Sequence, residues 1–177
     1  MLFHVSEQAG IERFDPRPSS YTAEPVVWGT DALRLRNYLL PRDCPRVTYY
    51  AGPQTTAADV DRFLGTSHSV VAIESAWLDR VRAVRLYCYS FEPDTFECID
   101  DCAGYFVSRA AVVPLSVDAI DDPIAALRER GVDVRVVDDL WPLHDAVVAS
   151  TLQFSMIRMR NAVTRLPVAP DRVQRVR

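Results

Sequence analysis

The sequence predicts an α+β domain built on a mixed, mainly antiparallel sheet or sheets, with a long C-terminal helix. Three observations carry that expectation. Segments with strand character outnumber helical ones, and the two kinds do not alternate strictly. The six glycines form neither G-x-G-x-x-G nor G-x-x-x-x-G-K, so both nucleotide-loop signatures of doubly wound folds are missing. The 177 residues are 49% hydrophobic and 25% charged, an ordinary globular balance for one domain with one core. That domain is expected over residues 1–166, followed by an Arg- and Pro-containing tail over 167–177.

Residues 2–6 are rich in apolar, aromatic and β-branched types and read as a first strand. Pro16, Pro18 and Pro25 make the next stretch a surface loop, after which Val26–Trp28 reads as a strand. Pro41 and Pro45 bracket a rigid turn that leads into a strand from Arg46 to Ala51. Thr55 or Thr56 caps a helix from about Ala57 to Leu64, which Gly65 ends. Strands follow at Ser69–Ile73 and Val84–Phe91, with a short helix around Trp77–Val81 between them. Tyr105–Ser108 and Ala111–Val117 read as two more. Asp121 or Asp122 with Pro123 starts a two-turn helix that stops at Gly131, and Val132–Val137 is the last expected strand. Apolar residues at helical spacing predict one long helix from about Leu143 to Ala162.

Composition excludes several classes of chemistry. All basic residues are Arg, so Schiff-base chemistry, lysine nucleophiles and a P-loop lysine are ruled out. A net charge of −4 argues against a nucleic-acid or anionic-membrane partner. The start lacks a secretory pattern and no apolar run is long enough to span a bilayer, which predicts a cytoplasmic protein with reduced thiols. Cys44, Cys88, Cys98 and Cys102 are poorly spaced for zinc, and no H-E-x-x-H occurs, so no metal site is expected.

Candidate functional residues are few. His4 lies within the first strand, where an imidazole needs a hydrogen-bond partner. Arg42 and Arg46 flank the proline-stiffened turn, a setting that can present guanidinium groups to phosphate or carboxylate. Glu74 and Glu97 are the carboxylates that a strand could carry to a cleft. Aromatic residues among Tyr49, Tyr50, Tyr87, Tyr89 and Trp141 could instead form the core of a partner-binding or homo-oligomeric interface.

The segments Leu2–Ser6, Leu39–Val47 and Ser155–Ala162 together resemble an uncharacterised bacterial family of unknown function over most of the chain. A shorter similarity lies beneath it. A first strand ending His-x-Ser, a proline-containing loop and a second strand ending aromatic-x-Thr-Asp look like the opening of the ADP-ribosyltransferase-like fold. That resemblance implies a nucleotide cleft for NAD, with His4 and Ser6 in the first motif, Trp28 in the aromatic position and Thr30 beside it. It implies a glutamate that steers glycosyl transfer, for which Glu74 and Glu97 are alternatives. Val5 departs from the motif, which normally carries Gly there.

Overall fold

The computed structural model describes residues 1–101 and 103–165; the expected tail over 167–177 and Cys102 lie outside the described residues. Two sheets face one another. The first is six-stranded and antiparallel, in the order β6-β7-β2-β1-β5-β8. Its strands are β1 (Leu2–Ser6), β2 (Val27–Thr30), β5 (Leu86–Phe91), β6 (Glu97–Asp100), β7 (Tyr105–Ser108) and β8 (Ser116–Ile120). The second is four-stranded, in the order β10-β3-β4-β9, from β3 (Arg46–Tyr50), β4 (Ser69–Glu74), β9 (Val132–Val137) and β10 (Gln153–Ile157). β4 and β9 pair in parallel and the other neighbours antiparallel.

Strand alternation makes three apolar layers from these two sheets. Phe3, Val5 and Cys88 of the first sheet meet Val71, Ile73, Val132 and Val134 of the second in the central layer. The opposite face of the first sheet carries Val27, Tyr89 and Phe91 under a strap that brings Ile11, Phe14 and Val112. The opposite face of the second carries Val47, Tyr49, Val70 and Ala72 against α4 (Trp141–Val148) and the π-helical turn Val60–Leu64. Because β4 is covered on both sides, all six of its residues are buried, and its sequence is a continuous apolar run up to Glu74.

The helices sit where their caps predict. Thr56 accepts a hydrogen bond from the Asp59 amide at the start of α1 (Ala57–Asp59), which continues into the π turn. α2 (Leu78–Ala83) links β4 to β5. Asp122 caps α3 (Pro123–Glu129) through the Ala125 amide, Pro123 takes the first turn, and Gly131 leaves it at φ +72°.

The long C-terminal helix is corrected by the structure. Helix α4 ends at Val148, and Gln153–Ile157 is an edge strand paired residue for residue with β3. Leu152 and Met156 do pack on the same apolar layer as Leu143 and Val147, so a helical spacing was present. The turn between them decides otherwise: the Thr151 amide and hydroxyl both donate to Asp59, at 2.8 and 2.6 Å, and pin the chain for a reversal. The strand expected at Ala111–Val117 is also displaced. Val112 makes an isolated bridge to Phe14, and the ladder with β5 runs over Ser116–Ile120.

Candidate functional site

The sequence Arg-Val-Thr-Tyr-Tyr of β3 sends Val47 and Tyr49 to the outer apolar layer, so Arg46, Thr48 and Tyr50 face the space between the sheets. Register places Ser155 of β10 opposite Thr48 and Ser69 of β4 opposite Tyr50, on the same inner face. On the first sheet, Thr30 pairs with Tyr105, and Trp28 lies two residues along the same face with its ring 5.5 Å from that of Tyr105. The 3-10 turn Leu35–Asn37 closes one end. Buried Leu35, Leu39 and Leu40 anchor it in the core, which delivers Arg34, Arg36 and Asn37 to the same region.

These elements surround a cavity of about 240 Å³, lined by Arg34, Asn37, Tyr50, Tyr105, Ser155 and neighbouring chain. Polar groups on the surrounding inner surfaces are short of partners. Thr30 Oγ1, Arg36 Nε, Asn37 Oδ1, Arg46 Nε, Thr48 Oγ1 and Ser69 Oγ are buried with no hydrogen-bond partner among the described residues. Native proteins leave few such atoms, and here they gather on facing inner surfaces. Asn37, only 4% exposed, also lines the cavity.

The electrostatics are those of buried cations. Arg34 is held by Asp31 at 3.0 Å and by the Asp101 carbonyl at 3.0 Å. The Arg36 guanidinium stacks 4.2 Å from the Tyr50 ring centre, and burial lowers its pKa. Arg46 is 3% exposed and donates through Nη1 to the carbonyls of Pro41 and Cys44, at 2.9 and 3.1 Å. Burial pushes it down to about 10. Tyr38 shares a hydrogen bond with Tyr105, and burial raises its pKa. Burial likewise pushes the Cys44 thiol up to about 12.

Of the residues expected to bind ligand, Trp28, Thr30 and Arg46 fall on these inner surfaces, whereas His4 and Ser6 do not. His4 pairs with Tyr89 on the opposite face of the first sheet, beneath Phe14. The His4 Nδ1 hydrogen bond, 3.0 Å long, goes to the backbone carbonyl of Trp28, so one strand's thickness separates the two side chains. The Ser6 hydroxyl accepts from the Gln8 amide. Arg42 meets Glu7 and Arg158 through its backbone. Glu74 is buried on the outer face of the second sheet and accepts from the amides of Leu140 and Val163. Glu97, on the edge strand β6, is exposed and ion-paired with Arg109. The His-aromatic-Glu set implied by the ADP-ribosyltransferase-like resemblance is therefore not assembled in one cleft. The aromatic set is also divided, because Tyr49 and Tyr89 are core residues at 0% and 1% exposure.

A second hollow, about 320 Å³, lies among Thr22, Ala23, Glu24, Val26 and Arg109. Its one cation is already matched by Glu24 and Glu97, which leaves little for a ligand to satisfy. Among the described residues no helix is long and apolar enough to cross a membrane. Sequence reasoning passed over Arg34, Arg36, Asn37, Tyr105 and Ser155, and named Tyr50 for an interface and not for a pocket. The signal available was the alternation of β3, which sets three polar residues on one face.

The model of a family of unknown function, DUF6886, matches residues 3–162, from β1 through β10. The chain belongs to that family, as its three resemblant segments implied. No curated protein and no solved structure matches it.

Proposed function

We propose that this DUF6886 member binds a small nucleotide in the cleft between its two sheets. One observation carries the reading: Asn37, buried with its Oδ1 unpartnered among the described residues, lines the cavity, and further unpartnered polar atoms lie on the inner faces of the two sheets. Each such atom costs about 1–3 kcal/mol when desolvated without a partner, and a ligand that bonds to it recovers that cost. Tyr50 and Tyr105 offer aromatic walls, Asn37 an amide for a hydroxyl or ring nitrogen, and the arginines an anion site. At about 240 Å³ the cavity lies below the ~300–1,000 Å³ common for larger ligands, so it suits a mononucleotide, or one half of NAD. Glu74 and Glu97 are engaged elsewhere, so the reading stops at binding and does not extend to glycosyl transfer.

Thermal unfolding with millimolar AMP, nicotinamide mononucleotide, NAD and ADP-ribose tests it. A ligand at 100 times its dissociation constant adds about 2.7 kcal/mol, a shift of roughly 5–10 °C for a domain this size. The shift should be present for a mononucleotide and absent in Ser155→Trp, which fills the cavity. No shift with any of the four sinks the proposal. A second reading, self-association, is favoured by β8, an edge strand unpaired on its outer side among the described residues, where Val117 is 47% exposed and the preceding Leu115 53%. Light scattering at micromolar concentration decides it, and a monomer ends it.

A further inference from the structure

The charges around the cleft do not balance. Arg34 is matched by Asp31, and Arg158 by Asp43 at 3.7 Å. Arg36 and Arg46 have no carboxylate within ion-pair distance among the described residues, although one is half-buried and the other fully buried. Burying a guanidinium without a counter-ion is costly, and the usual remedy is a charged partner. Among the described residues Arg46 has two backbone carbonyls on Nη1, while Arg36 leans on the Tyr50 ring. One of these two charges, Arg36, lies against the ring of Tyr50, which lines the cavity together with Asn37, buried and with Oδ1 unpartnered among the described residues.

Resting on the cleft reading above, we infer that the ligand brings a phosphate monoester dianion, set against Arg36 beside Asn37 and Tyr50, with Arg46 contributing its charge from deeper in the same face. Arg46 and Tyr50 are four residues apart on β3, about 13 Å along the strand, so a single phosphate contacts the Arg36 end directly. Arg46 acts through a buried, weakly screened medium. A phosphodiester or a carboxylate would leave one of the two charges unmatched. The planar guanidinium of Arg36, its Cζ 4.2 Å from the Tyr50 ring centre, suits two phosphate oxygens at once.

Three probes share base and sugar and differ in phosphate charge: AMP, a dianion near neutral pH; cyclic AMP, a monoanion; and adenosine, which is neutral. Calorimetric titration of the full chain at pH 7.5 should show AMP bound at least tenfold more tightly than either of the others. Arg36→Gln, a half-buried site whose folding is checked by thermal unfolding, should bring AMP to the affinity of adenosine. Equal binding of all three probes overturns the dianion and leaves the cleft reading standing. An AMP preference that survives Arg36→Gln overturns its placement. Silence from all three, in the wild type and in Ser155→Trp alike, overturns both inferences.

Discussion

The two faces of the second sheet bury polar side chains in opposite ways. On the outer face, Arg135 donates to Asp133, to the Tyr49 hydroxyl and to the Phe63 carbonyl, at 2.9, 3.0 and 2.6 Å. Glu74, on the same face, accepts the Val163 amide at 3.1 Å and the Leu140 amide at 3.3 Å. On the inner face, Arg46, Thr48 and Ser69 each keep a buried atom without a partner among the described residues. The strands, the backbone and the residue types are shared, so burial alone does not explain the difference. Polar groups that serve the fold are satisfied by the fold; those left without partners among the described residues are the ones the proposed ligand would bond.

This contrast predicts substitutions of opposite sign. Glu74→Ala removes the acceptor of the buried Leu140 amide and of the part-buried Val163 amide, and releases both the entry to α4 and the segment at Val163. It should cost about 1–3 kcal/mol, read as a lower urea midpoint at unchanged slope. A neutral result would erase the distinction between the faces. Thr48→Val on the inner face removes a hydroxyl that has no partner among the described residues, 0% exposed, and keeps the side-chain shape. Stability of the ligand-free protein should rise by about 1 kcal/mol, while AMP binding weakens, the exchange expected where a site is held at the expense of the fold. A loss of stability of similar size would mean that the hydroxyl is already satisfied.

The sequence announced the apolar halves of these faces better than the polar ones. β4, β5 and β9 were legible because continuous or alternating apolar runs admit one reading. α3 was legible from Asp122 and Pro123. β10 was not, because Leu152 and Met156 continue the spacing of Leu143 and Val147, and no glycine or proline interrupts it. Arg46 was named as an anion ligand for the stiffness of its turn, yet its burial comes from strand pairing on both sides, with Ile73 and Ile157. Asn37 and Arg36 could not be found locally. Nothing in Leu-Arg-Leu-Arg-Asn says that Tyr50 and Tyr105, from separate sheets, will stand opposite. Such a site exists only after the sheets dock.

The smallest effect concerns the outer face of the first sheet, where His4 is half-buried and serves the structure. Burial lowers its pKa, the charges of Arg42 and Arg17 lower it further, and the hydrogen bond to the Trp28 carbonyl works against both. The folded chain thus holds a neutral ring where the unfolded chain, with an ordinary histidine pKa near ~6.5, takes up a proton. Its contribution is complete above that value and is lost as pH falls through it, because the unfolded state gains a proton that the native state refuses. His4→Gln keeps a donor for the Trp28 carbonyl and removes the titration. Its stability should fall less steeply than the wild type's between pH 7.5 and pH 5.5, with His68 and His144 common to both chains. Parallel curves would show that His4 takes up its proton alike in the native and unfolded states, and would remove it from the group of residues that the fold holds neutral.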